Sequence, residues 1–166
     1  MSVATLLAES THENGIPIRR PALAGHDPGT PPGSVLALDL GQKTGWAVCN
    51  TDGAITSGAA EFKPGRFEGG GMIYLRFRAW LQEADKTTGG VGVAYFEEVR
   101  FHRGVTAAQV RGVPVATIKR HVTGRGKADK DAVIAAVRAL GSDPADHNET
   151  DALALLHWAL AQGGGR

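Results

Sequence analysis

The 166-residue chain holds a single cysteine, Cys49. That excludes a disulfide framework and any cysteine-rich zinc site. Aromatic residues make up only 6%. No apolar run approaches the roughly 18 residues that a membrane span requires, and the N-terminus lacks the basic start and long apolar stretch of a secretory signal. A soluble, cytoplasmic protein with no membrane partner is the expectation. Net charge is nearly absent too: 18 Lys and Arg stand against 17 Asp and Glu. The 23 glycines are about twice average usage, but they follow no period, which excludes collagen-like and repeat folds.

What the chain does have is 42% apolar residues, enough for one core. Residues 1–33 stand apart from it. Five of the eight prolines fall there (Pro17, Pro21, Pro28, Pro31, Pro32), and the stretch ends in HDPGTPPG. Such composition buries too little to order a backbone, so 1–33 reads as a disordered extension, with a partner-docking peptide as the other option. A compact domain is expected over 34–166.

Val35–Leu40 (VLALDL) is an apolar run broken by one acid, as in a buried strand. Gly45–Asn50 reads as a second strand, Thr51-Asp52-Gly53 as a hairpin turn, and Ala54–Phe62 as a third strand. Ile73, Phe77, Trp80, Leu81 and Ala84 form one stripe of a helix over Phe67–Ala84. Gly92–Val99 reads as a fourth strand, Thr106–Arg111 as a short helix, and Val113–Val122 as a fifth strand. Asp129–Leu140 reads as a helix capped by Asp129 and stopped by Gly141. Asp143–Asn148 is a turn, and Glu149–Ala161 the last helix. The order βββαβαβα plus a helix implies an α/β fold: a mixed five-stranded sheet flanked by helices, a three-strand meander followed by parallel strands.

Acids at three places sit where packing would not choose them. Asp39 lies inside the first strand, Glu97 and Glu98 close the fourth, and Asp151 opens the apolar run DALALLHWAL. A lone acid in a central strand is costly unless paired or bound to a metal. Alternation lets only one of Glu97 and Glu98 share a face with Asp39. If strands one and four are neighbours, three carboxylates converge. Hard oxygen ligands without cysteine suit Mg²⁺ or Mn²⁺, and a pair of such ions suits in-line phosphodiester hydrolysis. The plainer alternatives are that Asp39 caps the GQKTG turn and that Asp151 complements a helix N-terminus.

Charge is segregated. Residues 100–130 carry Arg100, Arg103, Arg111, Lys119, Arg120, Arg125, Lys127 and Lys130 with Asp129 as the sole acid; elsewhere ten basic residues face sixteen acidic ones. A basic loop beside an acidic site suits phosphate-backbone binding, and its alternative is a solvated basic face.

Together these segments resemble the RuvC family of Holliday-junction resolvases, in the ribonuclease H-like superfamily, over about Val35 to Ala161, and look closest to short phage and prophage members. ALDLGQKTGWAV resembles the family's first strand and turn, AYFEEV its fourth-strand glutamate motif, IKRHVTGRGKADKDAV its basic loop and following helix, and DALALLHWA its terminal helix. The resemblance implies a Mg²⁺- or Mn²⁺-dependent endonuclease with two ions that nicks four-way DNA junctions, usually as a homodimer. It places Asp39, Glu97 and Asp151 as catalytic metal ligands. Family members usually carry an acid or His three residues before the last aspartate, where this chain has Asn148. Asp146 or His147 is the substitute fourth ligand, and Glu149 points away. The connection between strands four and five is short, about 13 residues from Val99 to Val113, where the family has a long helix that helps form the dimer. Phe101 is placed as a base-stacking aromatic, and Arg103, Lys119, Arg120, Arg125, Lys127 and Lys130 as phosphate contacts. A ribonuclease H-like enzyme on RNA–DNA hybrids and a non-catalytic module for branched DNA are the competing functions.

Overall fold

In the computed structural model of the chain, residues 33–98 and 110–163 are described. Of the expected extension over 1–33, residues 1–32 lie outside them, as do Phe101 and Arg103. Strands β1 (Ser34–Asp39), β2 (Lys43–Cys49) and β3 (Ile55–Glu61) form the meander; helix α1 (Gly71–Thr87) leads to β4 (Val91–Glu97) and β5 (Val110–Val113). Helices α2 (Val115–Thr123), α3 (Lys130–Ala139) and α4 (His147–Gly163) complete the domain. The sheet order is β3-β2-β1-β4-β5. β1 pairs antiparallel with β2 and parallel with β4, and β4 is parallel to β5. The mixed sheet read from the sequence is therefore the one observed.

Each sheet face is read directly from strand alternation. Leu36, Leu38, Trp46, Val48 and Ala60 pack under α1 through Trp80 and Ala84. Phe62, Phe77 and Trp80 meet there at ring separations of 5.3–6.2 Å. Ala37, Ala47, Val93, Tyr95 and Val113 face the other way, against Ile118 of α2, Val133 and Val137 of α3 and the apolar side of α4. α4 lies in the middle of this layer, which is why Ala152 through Leu156 are all buried.

The sequence reading requires correction at four places. The fifth strand is not Val113–Val122: the strand is Val110–Val113, and Val115–Thr123 is a helix. Pro114 ends the strand, with φ −61° and ψ 134° at the helix N-cap, a position where its missing N–H costs nothing. Val115, Ile118 and Val122 then share one helical face, with Ile118 buried, and Gly124 closes the helix at φ 77°. Of the expected helix over Thr106–Arg111, Val110 and Arg111 belong to β5, and 106–109 lie outside the described residues. Finally, α1 starts at Gly71, four residues later than Phe67, and α4 starts at His147, two before Glu149. The helix over Asp129–Leu140 keeps its cap: Asp129 accepts a 2.8 Å bond from the Ala132 N–H. Only 98–109 connect the parallel strands β4 and β5, near the lower limit for such a crossover.

Candidate metal centre and nucleic-acid interface

Parallel pairing sets Leu38 opposite Phe96, so the next residues, Asp39 and Glu97, end neighbouring strands side by side. Asp39 follows Ala37 and Glu97 follows Tyr95 on the face that carries α4. Glu98 alternates to the other side, where its side chain lies over Gly112. Asp151 sits in the second turn of α4. That helix reaches the strands because β2 has no side chain in its way. A Cβ at Gly45 would lie 1.8 Å from the Asn148 carbonyl oxygen, and Gly45 is the register partner of Asp39. Only glycine admits the first turn of α4 at that distance.

The electrostatics record this convergence. Burial and the neighbouring Asp151 and Asp146 carboxylates push Asp39 up to about 6, with Lys130 opposing. Burial, then Asp39 and Asp151, raise Glu97, and Lys119 opposes. Asp151 is raised by burial, while Lys119, Lys130 and His147 act against the rise. Three half-buried carboxylates, with two lysines at their border, form an anionic cluster that favours added positive charge.

Asp146 is held differently. Its Oδ2 is 2.7 Å from Lys43 Nζ, and its Oδ1 accepts a 2.9 Å bond from the Glu149 N–H. Burial pushes this carboxyl up, but the Glu149 and Asn148 N–H groups and Lys43 outweigh burial and hold it below the ordinary range. Asp146 is thus engaged as the cap of α4 at the edge of the trio. Glu149 points away from the site, as expected, and is buried: it accepts bonds from Ser57 Oγ at 2.6 Å and the Ala145 N–H at 2.9 Å. Asp146 and Glu149 form a capping-box-like pair that fixes the start of the helix. His147 is exposed.

Sequence reasoning missed Lys43, Gly45 and Thr44, whose Oγ1 donates to the Gly41 carbonyl at 2.8 Å and closes the β1–β2 turn. The D-x-x-E spacing of Asp146 and Glu149 was the available signal for the cap. Nothing local announces Lys43, because its partner lies about a hundred residues away.

The basic segment borders the trio from α2 and α3. Lys119, on a helix rather than a strand, donates to the Ala128 carbonyl at 2.8 Å, tying α2 to the loop before α3. Arg120 lies along that loop, its Nη2 3.3 Å from where a Cβ of Gly126 would stand. Arg125, Lys127 and Lys130 are exposed. Trp46 is fully buried and Cys49 is buried, as expected of core residues.

Among the described residues, no three His, Cys, Asp or Glu side chains close into a ready-made metal cage. The donor chemistry nevertheless fits a hard divalent cation: oxygen ligands only, desolvated and short of positive charge. No helix of the described residues is long and apolar enough to cross a membrane.

No protein-family model and no curated protein matches the chain. Solved structures do. Thermus thermophilus RuvC is 22% identical with a TM-score of 0.58, covering 78% of this chain and 95% of that one. T. thermophilus RuvC in complex with a Holliday junction substrate is 20% identical with a TM-score of 0.60, covering 79% and 97%. With the strand order, the mixed pairing and the flanking helices already in place, the chain has the ribonuclease H-like fold of RuvC.

Proposed function

We propose that the chain is a divalent-metal-dependent, structure-selective DNA endonuclease that hydrolyses phosphodiester bonds in branched DNA, with the four-way junction as its preferred substrate. The observation that carries this reading is the meeting of Asp39, Glu97 and Asp151, from β1, β4 and α4, in one half-buried anionic site bordered by basic side chains. Packing alone does not reward such a cluster.

Asp39, Glu97 and Asp151 would hold Mg²⁺ or Mn²⁺, and two ions are expected. His147 is the better-placed fourth donor, since Asp146 already serves Lys43 and the helix cap. Bound there, the metal would activate water and neutralise charge on the leaving oxygen. The chain's own residues do the rest. Asp39 and Glu97, on adjacent strands, fix the donor spacing through the rigid sheet. Lys119 and Lys130 oppose the upward shift of the acids and would meet the phosphates flanking the scissile bond. Arg120, Arg125 and Lys127 bind backbone farther along the strand. In this reading Phe101 would stack on a base at the junction centre, Arg103 would contact the phosphate backbone, and a homodimer would address two symmetric strands.

The test is cleavage of a labelled four-way junction, a linear duplex and an RNA–DNA hybrid in Mg²⁺ or Mn²⁺, with Asp39→Asn as the control. Nicking of the junction by the parent alone supports the proposal. Preferential cleavage of the hybrid reassigns the enzyme to ribonuclease activity. Metal-independent junction binding without cleavage reassigns it to a non-catalytic module.

A further inference from the structure

The β3–α1 connection, residues 62–70, carries chemistry that the acidic site does not use. β3 runs in the same direction as β1, since each is antiparallel to β2. Its end therefore lies at the end of the sheet where Asp39 and Glu97 stand. Two contacts fix the connection there. The Phe62 N–H donates to the Gln42 carbonyl at 2.8 Å, and Lys43, the partner of Asp146, is in register with Glu61.

Phe67 is 95% exposed, an extreme value for a phenyl ring. The Arg66 guanidinium lies over that ring, 5.9 Å from its centroid. On the adjoining helix Tyr74 is 76% exposed and Leu75 and Arg78 share its flank. Over residues 63–78 Lys63, Arg66, Arg76 and Arg78 oppose Glu68 alone. Lys63 pairs with Glu61, and Arg76 with Glu68 and the Lys63 carbonyl. Arg66 and Arg78 have no ion pair among the described residues. An exposed aromatic with a cation laid on its face, beside a second unpaired cation, suits a nucleic-acid strand: bases stack on rings and phosphates meet guanidinium groups.

We infer that Phe67 and Arg66 form a second DNA contact, a base-stacking and phosphate-binding clamp on the side of the acidic site opposite the α2–α3 loop. The inference rests on the proposed nuclease function. It adds to that reading a stacking site on the α1 side of the sheet, so that DNA crossing the sheet end is held from both layers. The occupant is a strand with an unstacked base, as at the crossover of a branched junction. A regular duplex offers no free base face to the ring.

The test is binding of a fluorescent four-way junction, without divalent metal, to the full chain and to the variants Phe67→Ala, Phe67→Trp and Arg66→Ala, over a salt series. Phe67 is almost wholly exposed, so melting curves should match the parent. Phe67→Ala should weaken junction binding about 5- to 150-fold, the range for one stacked base, and Phe67→Trp should restore it. Arg66→Ala should flatten the slope of log K against log [salt] by about 0.7–0.9. If the parent binds and both alanine variants match it, this inference is overturned and the nuclease reading stands. If the parent retains no junction, the nuclease reading fails and this inference falls with it. Should Phe67→Ala change the sedimentation of the protein while leaving junction affinity intact, the face contacts a second copy and the inference is likewise overturned.

Discussion

Replacing Asp39 by Asn should stabilise the metal-free protein. Asp39 stands beside Asp151 and Asp146 in a half-buried setting, and its carboxyl is raised from 3.8 to about 6. At 1.36 kcal/mol per unit the face value of that shift is roughly 3 kcal/mol. Partial exposure screens the charges, so a gain of about 1–2 kcal/mol is the reasonable expectation for the neutral isostere. The pH dependence follows from the same shift. Below about pH 4 the group is protonated in both folded and unfolded chains, and the variant gains nothing. Between about 4 and 6 the unfolded chain loses its proton first, so the parent's stability falls as pH rises and the variant's advantage grows. Above about 6 the advantage is constant. Urea denaturation at pH 4 and pH 7.5 in EDTA measures it directly. Added Mg²⁺ should reverse the order at neutral pH: at a hundred times its dissociation constant the ion stabilises the parent by about 2.7 kcal/mol, more than the variant's advantage, and the variant gains little. A variant that is neutral or destabilised at pH 7.5, or equally advantaged at pH 4, would refute the claim that burial and the neighbouring carboxylates destabilise the ionised Asp39.

Gly45→Ala should cost about 3 kcal/mol or more, because its Cβ would overlap the Asn148 carbonyl; thermal melting checks the loss, and junction cleavage should disappear with the displaced Asp151. Lys127→Ala should weaken junction binding and reduce the salt slope by about 0.9, while Lys119→Ala should also disturb the α2–α3 loop it holds; filter binding over a salt series separates the two. His157 is held below its ordinary range by burial and then by His121. Its stabilising effect is present above about pH 6.5 and is lost as pH falls, so His157→Gln should flatten the acid limb of the urea midpoint against pH.

Much of this was legible in the chain. The meander, α1 and the capped α3 each have a local signature: alternation, a heptad-like stripe, or Asp129 and Gly141 at the ends. Asp39, Glu97 and Asp151 were recognisable because each violates the apolar pattern of its own element. The segment VPVATIKRHV misled because its β-branched residues favour a strand on propensity, whereas Pro114 and the placement of Val115, Ile118 and Val122 select a helix. The cap role of Asp146 had its signal in D-x-x-E, but its pairing with Lys43 could not be read, since the sheet brings that residue from about a hundred positions away. Asn148 looks like a lost ligand in the sequence. In the fold its carbonyl is the group that Gly45 accommodates.

The placement of α4 has a consequence for biosynthesis. The meander, α1 and β4 are complete within residues 34–97, and their aromatic layer under α1 is built from that stretch alone. The opposite layer waits for a helix that begins at His147. A ribosome-bound chain lacking that helix would hold Asp39 and Glu97 but not Asp151, and the face that carries them would be uncovered. The candidate metal centre is thus completed only when α4 has been translated, so the proposed activity would be silent in chains that lack α4 and would arise only on its docking.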